Sequence, residues 1–246
     1  MAVQSMVHQA NEVRENKVTT IKTDTGEIKL SSKIVKAYLV AGGGNVSDQE
    51  VKLFIALCSA QKLNPFIKEA HLIKYGSSPA TMVVSKDVYQ KRADKHPEYQ
   101  GKKAGIIVLT AEGKIDYRVG TFYIPSREEL VGGWCEVYRK DREPERVEVS
   151  LDEYVGKKKD GTVNAQWSGK PATMIRKVAV AQCLREAFTS EFQGMYVPEE
   201  MGVEDTTSNF VVEETPQVHQ AIEATTAPTM QDIINEEKQA EPVPVD

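Results

Sequence analysis

The sequence predicts an α+β fold, with antiparallel β-sheet and hairpins packed against helices and a disordered acidic C-terminal tail. Three observations predict it. Helix-periodic apolar stripes, as from Val51 to Cys58 and over 171–190, do not alternate with single strands in the manner of βαβ units. Strand-like runs instead follow one another between 105 and 154, separated by turn residues. After Pro198 the chain holds one aromatic residue, Phe210, among many Glu, Thr, Pro and Gln, and is too polar to bury a core of its own.

The elements follow in order. Residues 1–28 are polar and weakly patterned and read as a mobile arm or an edge strand, and 1–30 is assigned as a flexible N-terminal arm. A short helix over 31–41 runs into Gly42-Gly43-Gly44. The run is followed by Asn-Val-Ser and lacks the Gly-Lys-Ser/Thr of a phosphate loop, so it reads as a helix stop. Ser47-Asp48-Gln49-Glu50 is a capping box, in which the Ser hydroxyl accepts from the third helical amide and Glu50 reaches back. Val51, Phe54, Ile55 and Cys58 form that helix's buried stripe, and Asn64-Pro65 ends it. AHLIKY (70–75) and ATMVVS (80–85) form a hairpin, and 85–95 a helix. GIIVLT, KIDYRVGTFYI, GGWCEVYRKD and RVEVSLDEY supply the sheet between 105 and 154. KKKDG (157–161) is a turn, and a helix over 171–190 completes a core domain of 31–197. The tail, 198–246, contains one short amphipathic piece that reads as a helix at 229–239.

Net charge of -5 conceals a segregation. Residues 198–246 hold twelve acidic side chains and one basic one, Lys238, so the rest of the chain is basic. From Lys157 to Arg185 there are seven basic residues against Asp160 alone. A basic body suits a polyanionic partner, and the tail could compete for the same surface. Three cysteines (Cys58, Cys135, Cys183), odd in number and widely spaced, read as buried thiols of a reducing compartment. No apolar run reaches about 18 residues. The N-terminus has neither the apolar centre nor the cleavage site of a secretory signal. The expectation is a cytoplasmic protein with no membrane contact.

Catalysis is poorly served. The four histidines have no metal-ligand spacing with cysteine, and no Gly-x-Ser-x-Gly elbow is present. Asp152, Glu153 and Lys157 could be read as a metal-dependent nuclease site, the alternative to binding. Nucleic-acid binding is better served, because Lys and Arg neutralise phosphates and aromatic faces stack on unpaired bases. Basic residues here have aromatic neighbours: Phe66 beside Lys68, Tyr89 beside Lys86 and Arg92, Tyr138 before Arg139 and Lys140, and Trp167 before Lys170. Phe66 and Tyr138 are expected in the core, while Trp167, beside Gly and Ser, is the one placed at the interface. On the helix after Pro171, Arg176, Lys177 and Arg185 do not share one stripe. Its N-terminal end, with Lys170, Arg176 and Lys177, is expected to border a groove.

Several ordered segments carry a family resemblance. LNPFIKE (63–69), VVSKDVYQKR (83–92), CEVYRKDR (135–142), the run from Trp167 to Phe188, and Gly194-x-Tyr196 together resemble the Bet proteins. These are phage single-strand annealing recombinases of the Redβ type within the wider RecT-like group. The resemblance covers about 50–197. It implies ATP-independent annealing of complementary single-stranded DNA in homologous recombination, through a tightly held annealed duplex intermediate. It also implies a homo-oligomer, ring or helical filament, and no catalytic site. No cofactor is implied, magnesium being at most an aid to annealing. The DNA-contact set it implies, with the basic residues above, is Lys68, Lys86, Arg92, Arg139, Lys140, Trp167, Lys170, Arg176, Lys177 and Arg185. Ala172, Thr173 and Val178 stand where relatives carry basic residues, with Lys170 and Lys177 beside them. The family's C-terminal helical domain binds a phage exonuclease and the host single-strand-binding protein. The segment here is shorter and more acidic.

Overall fold

The computed structural model describes residues 17–158 and 160–202. The predicted helix at 229–239 and the tail beyond Gly202 lie outside the described residues, as do the first 16 of the arm.

Strands β1 (Thr19–Thr23) and β2 (Gly26–Leu30) form an antiparallel hairpin. Its inward side chains, Ile21 and Leu30, are fully buried. The ordered body therefore begins ahead of residue 31, within the stretch read as an arm, because period-2 alternation over only five residues is a weak signal. Helix α1 (Ser32–Ile34) is capped by Ser31 and passes into a π-helical turn, Val35–Leu39. Strand β3 (Val40–Ala41) then leads through the glycine run to α2 (Asp48–Ala60). The capping box forms as predicted, and Val51, Phe54 and Cys58 are buried.

Strands β4 (Ala70–Ile73) and β5 (Thr81–Val84) form the expected hairpin, with β3 parallel to β4. Helix α3 (Lys86–Lys95) follows, with Ser85 as its N-cap. Strands β6 (Tyr99–Thr110), β7 (Ile115–Val119), β8 (Glu128–Arg139) and β9 (Glu145–Ser150) make an antiparallel sheet of order β7-β6-β8-β9. The run predicted as one strand over 114–124 stops at Val119. Gly120 turns in the left-handed region at φ 83°, and Phe122 projects into solvent.

After the short α4 (Leu151–Tyr154) and α5 (Ala165–Gly169), α6 (Pro171–Ala187) lies across one face of the sheet. Nine of its seventeen side chains are buried, as its near-continuous apolar pattern requires. It comes close because β8 carries glycine opposite it: a Cβ on Gly133 would sit 2.8 Å from the Ile175 carbonyl oxygen. The predicted helix over 171–190 breaks at Phe188, and α7 (Thr189–Phe192) restarts at an angle. The break carries Phe192 onto Tyr89, stacked at 5.0 Å, and Phe188 onto His96 and Tyr99. Two antiparallel sheets and the mixed β3-β4-β5 sheet, packed with helices, make the α+β fold.

Candidate nucleic-acid interface

The basic residues divide into those that hold the fold and those that face outward. Arg92 belongs to the first set. From α3 it donates to the Gln61 side chain (2.9 Å), the Gln61 carbonyl and the Glu191 carbonyl (2.8 Å), tying α3 to the end of α2 and to α7. Arg139 forms a two-pronged bond with Asp141 (2.7 Å each), donates to the Ala187 carbonyl and lies 4.5 Å over the Phe188 ring. The Asp141 carboxylate raises its pKa above the ordinary guanidinium value. Lys177 pairs at 2.6 Å with Glu199, which is buried. Arg185 grips Glu200 at 2.5 and 3.1 Å, donates to the Met195 carbonyl and stacks over Tyr196. Burial opposes its charge, but the Glu200 carboxylate outweighs burial and raises the pKa. Arg92, Arg139, Lys177 and Arg185 are thus committed to internal partners. Glu199 and Glu200, assigned by sequence to the tail, belong to a turn that closes on α6.

Trp167 is the clearest reversal. Asn164 caps α5 by accepting from the Gln166 and Trp167 amides, and turns the indole inward, where it is 3% exposed. Gly156 makes room: a Cβ there would lie 2.9 Å from the ring. Buried this way, neither ring face can stack on a base. Phe66 reverses in the other direction and stands 48% exposed beside an exposed Ile67. Tyr138 is half-buried, bonded to Glu136 and covered by Lys103.

Arg176 stands between the two sets: it is half-buried, faces β6 and donates to the Ala104 carbonyl at 3.4 Å, without an acidic partner among the described contacts. Beside it stands Lys102, which the sequence reading missed. Its amine donates to Gln90 on α3. Burial lowers its pKa; Arg176 and Lys86 push the same way, against Cys135 and Asp94, which raise it. The signal was available: GKKAG continues the alternation of GIIVLT, so the strand begins at Tyr99 and places Lys102 on the α6 side with Ala104. Lys86, in the first turn of α3, pairs with Asp87, but both side chains are more than half exposed. A pair that open to water contributes little, on the order of 1 kcal/mol at most. The same turn borders a concavity of about 390 Å³ lined by Ile67, Lys68, Glu69, Ser85, Val88 and Lys91 among others.

Lys68 lines this concavity and Lys86 stands in the turn that borders it, while Lys102 lies within reach of the charges of Lys86 and Arg176. Lys140 bonds the Pro97 carbonyl, and Lys170 is exposed where α5 meets α6; neither is brought to this cluster by a described contact. The alternative nuclease residues, Asp152 and Glu153, are exposed on α4. Among the described residues no three His, Cys, Asp or Glu side chains converge to hold a metal ion. Nor is any described helix long and apolar enough to cross a membrane.

Comparison with protein families finds a match to the RecT family over residues 11–213. No curated protein matches the chain.

Proposed function

The chain belongs to the RecT family, and on that premise we propose that it is a Redβ-type protein that anneals complementary single strands without ATP. The family assignment carries DNA binding and single-strand annealing in phage recombination. Lys68, Lys86, Lys102 and Arg176 are the residues that would hold the phosphates.

The observation that supports this reading best is the Lys86–Lys102–Arg176 group. Lys102 is half-buried, and Arg176 and Lys86 both lie within reach of its charge and oppose it in the free protein, against Cys135 and Asp94, which favour it. A phosphate backbone relieves that opposition, and backbone contacts of this kind leave base edges open to a complementary strand. Pairing and stacking of the bases then supply the free energy, so no nucleotide fuel is needed. Arg92, Arg139, Lys177, Arg185 and Trp167 hold the fold rather than the strand.

Oligomerisation into a ring or filament, action in the bacterial cytoplasm, and contact with an exonuclease or host single-strand-binding protein follow from the same likeness and belong to the proposal. Fluorescence pairing of complementary oligonucleotides without ATP tests it. Pairing should occur, oligonucleotide affinity should fall steeply with salt, and Lys102→Gln should reduce both affinity and salt slope. Magnesium-dependent cleavage of labelled strands would instead establish the nuclease alternative. Affinity indifferent to salt would remove the phosphate-binding reading altogether.

A further inference from the structure

The turn Pro65–Ile67 carries two large apolar side chains on its outside. Phe66 is 48% and Ile67 53% exposed. An exposed apolar pair on a mobile loop would mean little. This turn is braced at both ends. The Asn64 amide donates to the Glu69 carboxylate (2.9 Å), and the Glu69 amide returns a bond to the Asn64 carbonyl (3.2 Å). The Asn64 side chain accepts from the Phe66 amide and donates to Thr25. Glu69, itself buried, is also held by Lys91 at 2.8 Å, and its carbonyl accepts from Ser85. Lys62 and Lys68, on either side, both adopt left-handed backbone (φ 50° and 63°), which β-carbon-bearing residues seldom take. The chain thus accepts local strain to hold Phe66 and Ile67 outward in one geometry.

The surroundings say what the pair meets. The residues that flank it in sequence, Lys62 and Lys68, are both exposed and positive. The nearest acid in sequence, Glu69, faces inward, while the exposed Asp87 lines the concavity beside Lys86. Lys86 in turn connects this corner to Lys102 and Arg176. A ligand that is anionic along its backbone and offers apolar flat faces satisfies both halves of this surface. Single-stranded DNA is such a ligand, since every base has a face that stacks on an aromatic ring whatever its sequence.

We propose that the 65–68 turn is a base-stacking prong, with Phe66 lying against the face of an unpaired base and Ile67 beside it, while Lys68 and Lys86 hold the adjoining phosphates. The proposal rests on the DNA-binding reading and deepens it. A prong of this kind engages single strands, whose bases are accessible, before they pair.

The test compares wild type, Phe66→Ala and Phe66→Trp on two fluorescent strands of equal length, one of thymidines and one abasic. The side chain is half exposed and outside the core, so thermal melting of both variants should match wild type. Phe66→Ala should weaken thymidine-strand binding about tenfold or more, with an unchanged salt slope. On the abasic strand wild type and Phe66→Ala should bind alike. Phe66→Trp should retain affinity, and its indole emission should be quenched by thymidines and not by the abasic strand. Equal loss on both strands, or no loss on either, would overturn the prong. So would unchanged thymidine binding with an altered sedimentation mass, which would assign Phe66 to contact between copies of the chain. If wild type binds neither strand, the DNA-binding reading fails first.

Discussion

Glu50 shows how much one local motif can carry. It closes the capping box of α2 by accepting from the Ser47 amide (2.7 Å), and it also takes Lys74 at 2.8 Å and the Ala80 amide at 2.8 Å. One carboxylate therefore joins the start of α2 to the loop between β4 and β5. Lys74, then the Ser47 and Ala80 amides, hold its pKa down to about 2. A carboxylate with a depressed folded-state pKa stabilises above its unfolded value, about 4.5, and that contribution is lost as pH falls toward 2. Glu50→Gln should therefore lower the melting temperature at neutral pH and flatten the dependence of stability on pH between about 4.5 and 2, checked by thermal melts across that range. Arg176 and Arg185 make the complementary point. Both look like DNA contacts on one helix in sequence, and they differ by partners the sequence does not display. Arg185 is matched by Glu200 and Tyr196, brought back by the break at Phe188. Arg185→Ala should cost about 3–5 kcal/mol in urea unfolding, because Glu200 would be left buried without its partner. Arg176→Gln should leave unfolding nearly unchanged and lower oligonucleotide affinity.

Among the elements, those set by nearby residues were legible. The capping box marks α2, Ser85 marks α3, and period-2 alternation marks the sheet strands. What could not be read was set by residues farther along the chain. Trp167 is buried because Gly156 makes room for it, and Phe66 is exposed because Asn64, anchored to Thr25, and Glu69, anchored to Lys91, pin the turn behind it. The sheet itself depends on such a fit. Gly133 faces the Ile175–Arg176 backbone, so α6 rests on β8 at main-chain distance. Gly133→Ala would place its methyl carbon 2.8 Å from a carbonyl oxygen that is part of a helix and cannot rotate away. Overpacking of this sort typically costs about 1–3 kcal/mol. The displacement would also carry Arg176 away from Lys102, so Gly133→Ala should lower both urea stability and strand affinity. Unchanged stability would show that the helix can lift without loss.

Across the whole molecule the charge is divided between body and C-terminal segment, and the boundary decides what truncation does. Sequence composition placed the division at Pro198, because the acidic residues begin there. The fold places the first two of them, Glu199 and Glu200, against Lys177 and Arg185. Ten further acidic residues and Lys238 follow Gly202. A chain ending at 202 keeps both ion pairs, whereas one ending at 197 strands two basic groups that are mostly removed from water. The 1–197 chain should therefore melt well below 1–202, and a common melting temperature would show that neither pair matters. For 1–202 the electrostatics predict more. Losing ten carboxylates removes repulsion toward DNA, so single-strand affinity at low salt should rise above that of the full chain. The gain should shrink as salt approaches physiological strength, where the screening length falls to about 8 Å and exposed charges farther apart cease to interact. An affinity gain that persists undiminished at high salt would mean that the segment occupies the binding surface by direct contact rather than acting through its charge.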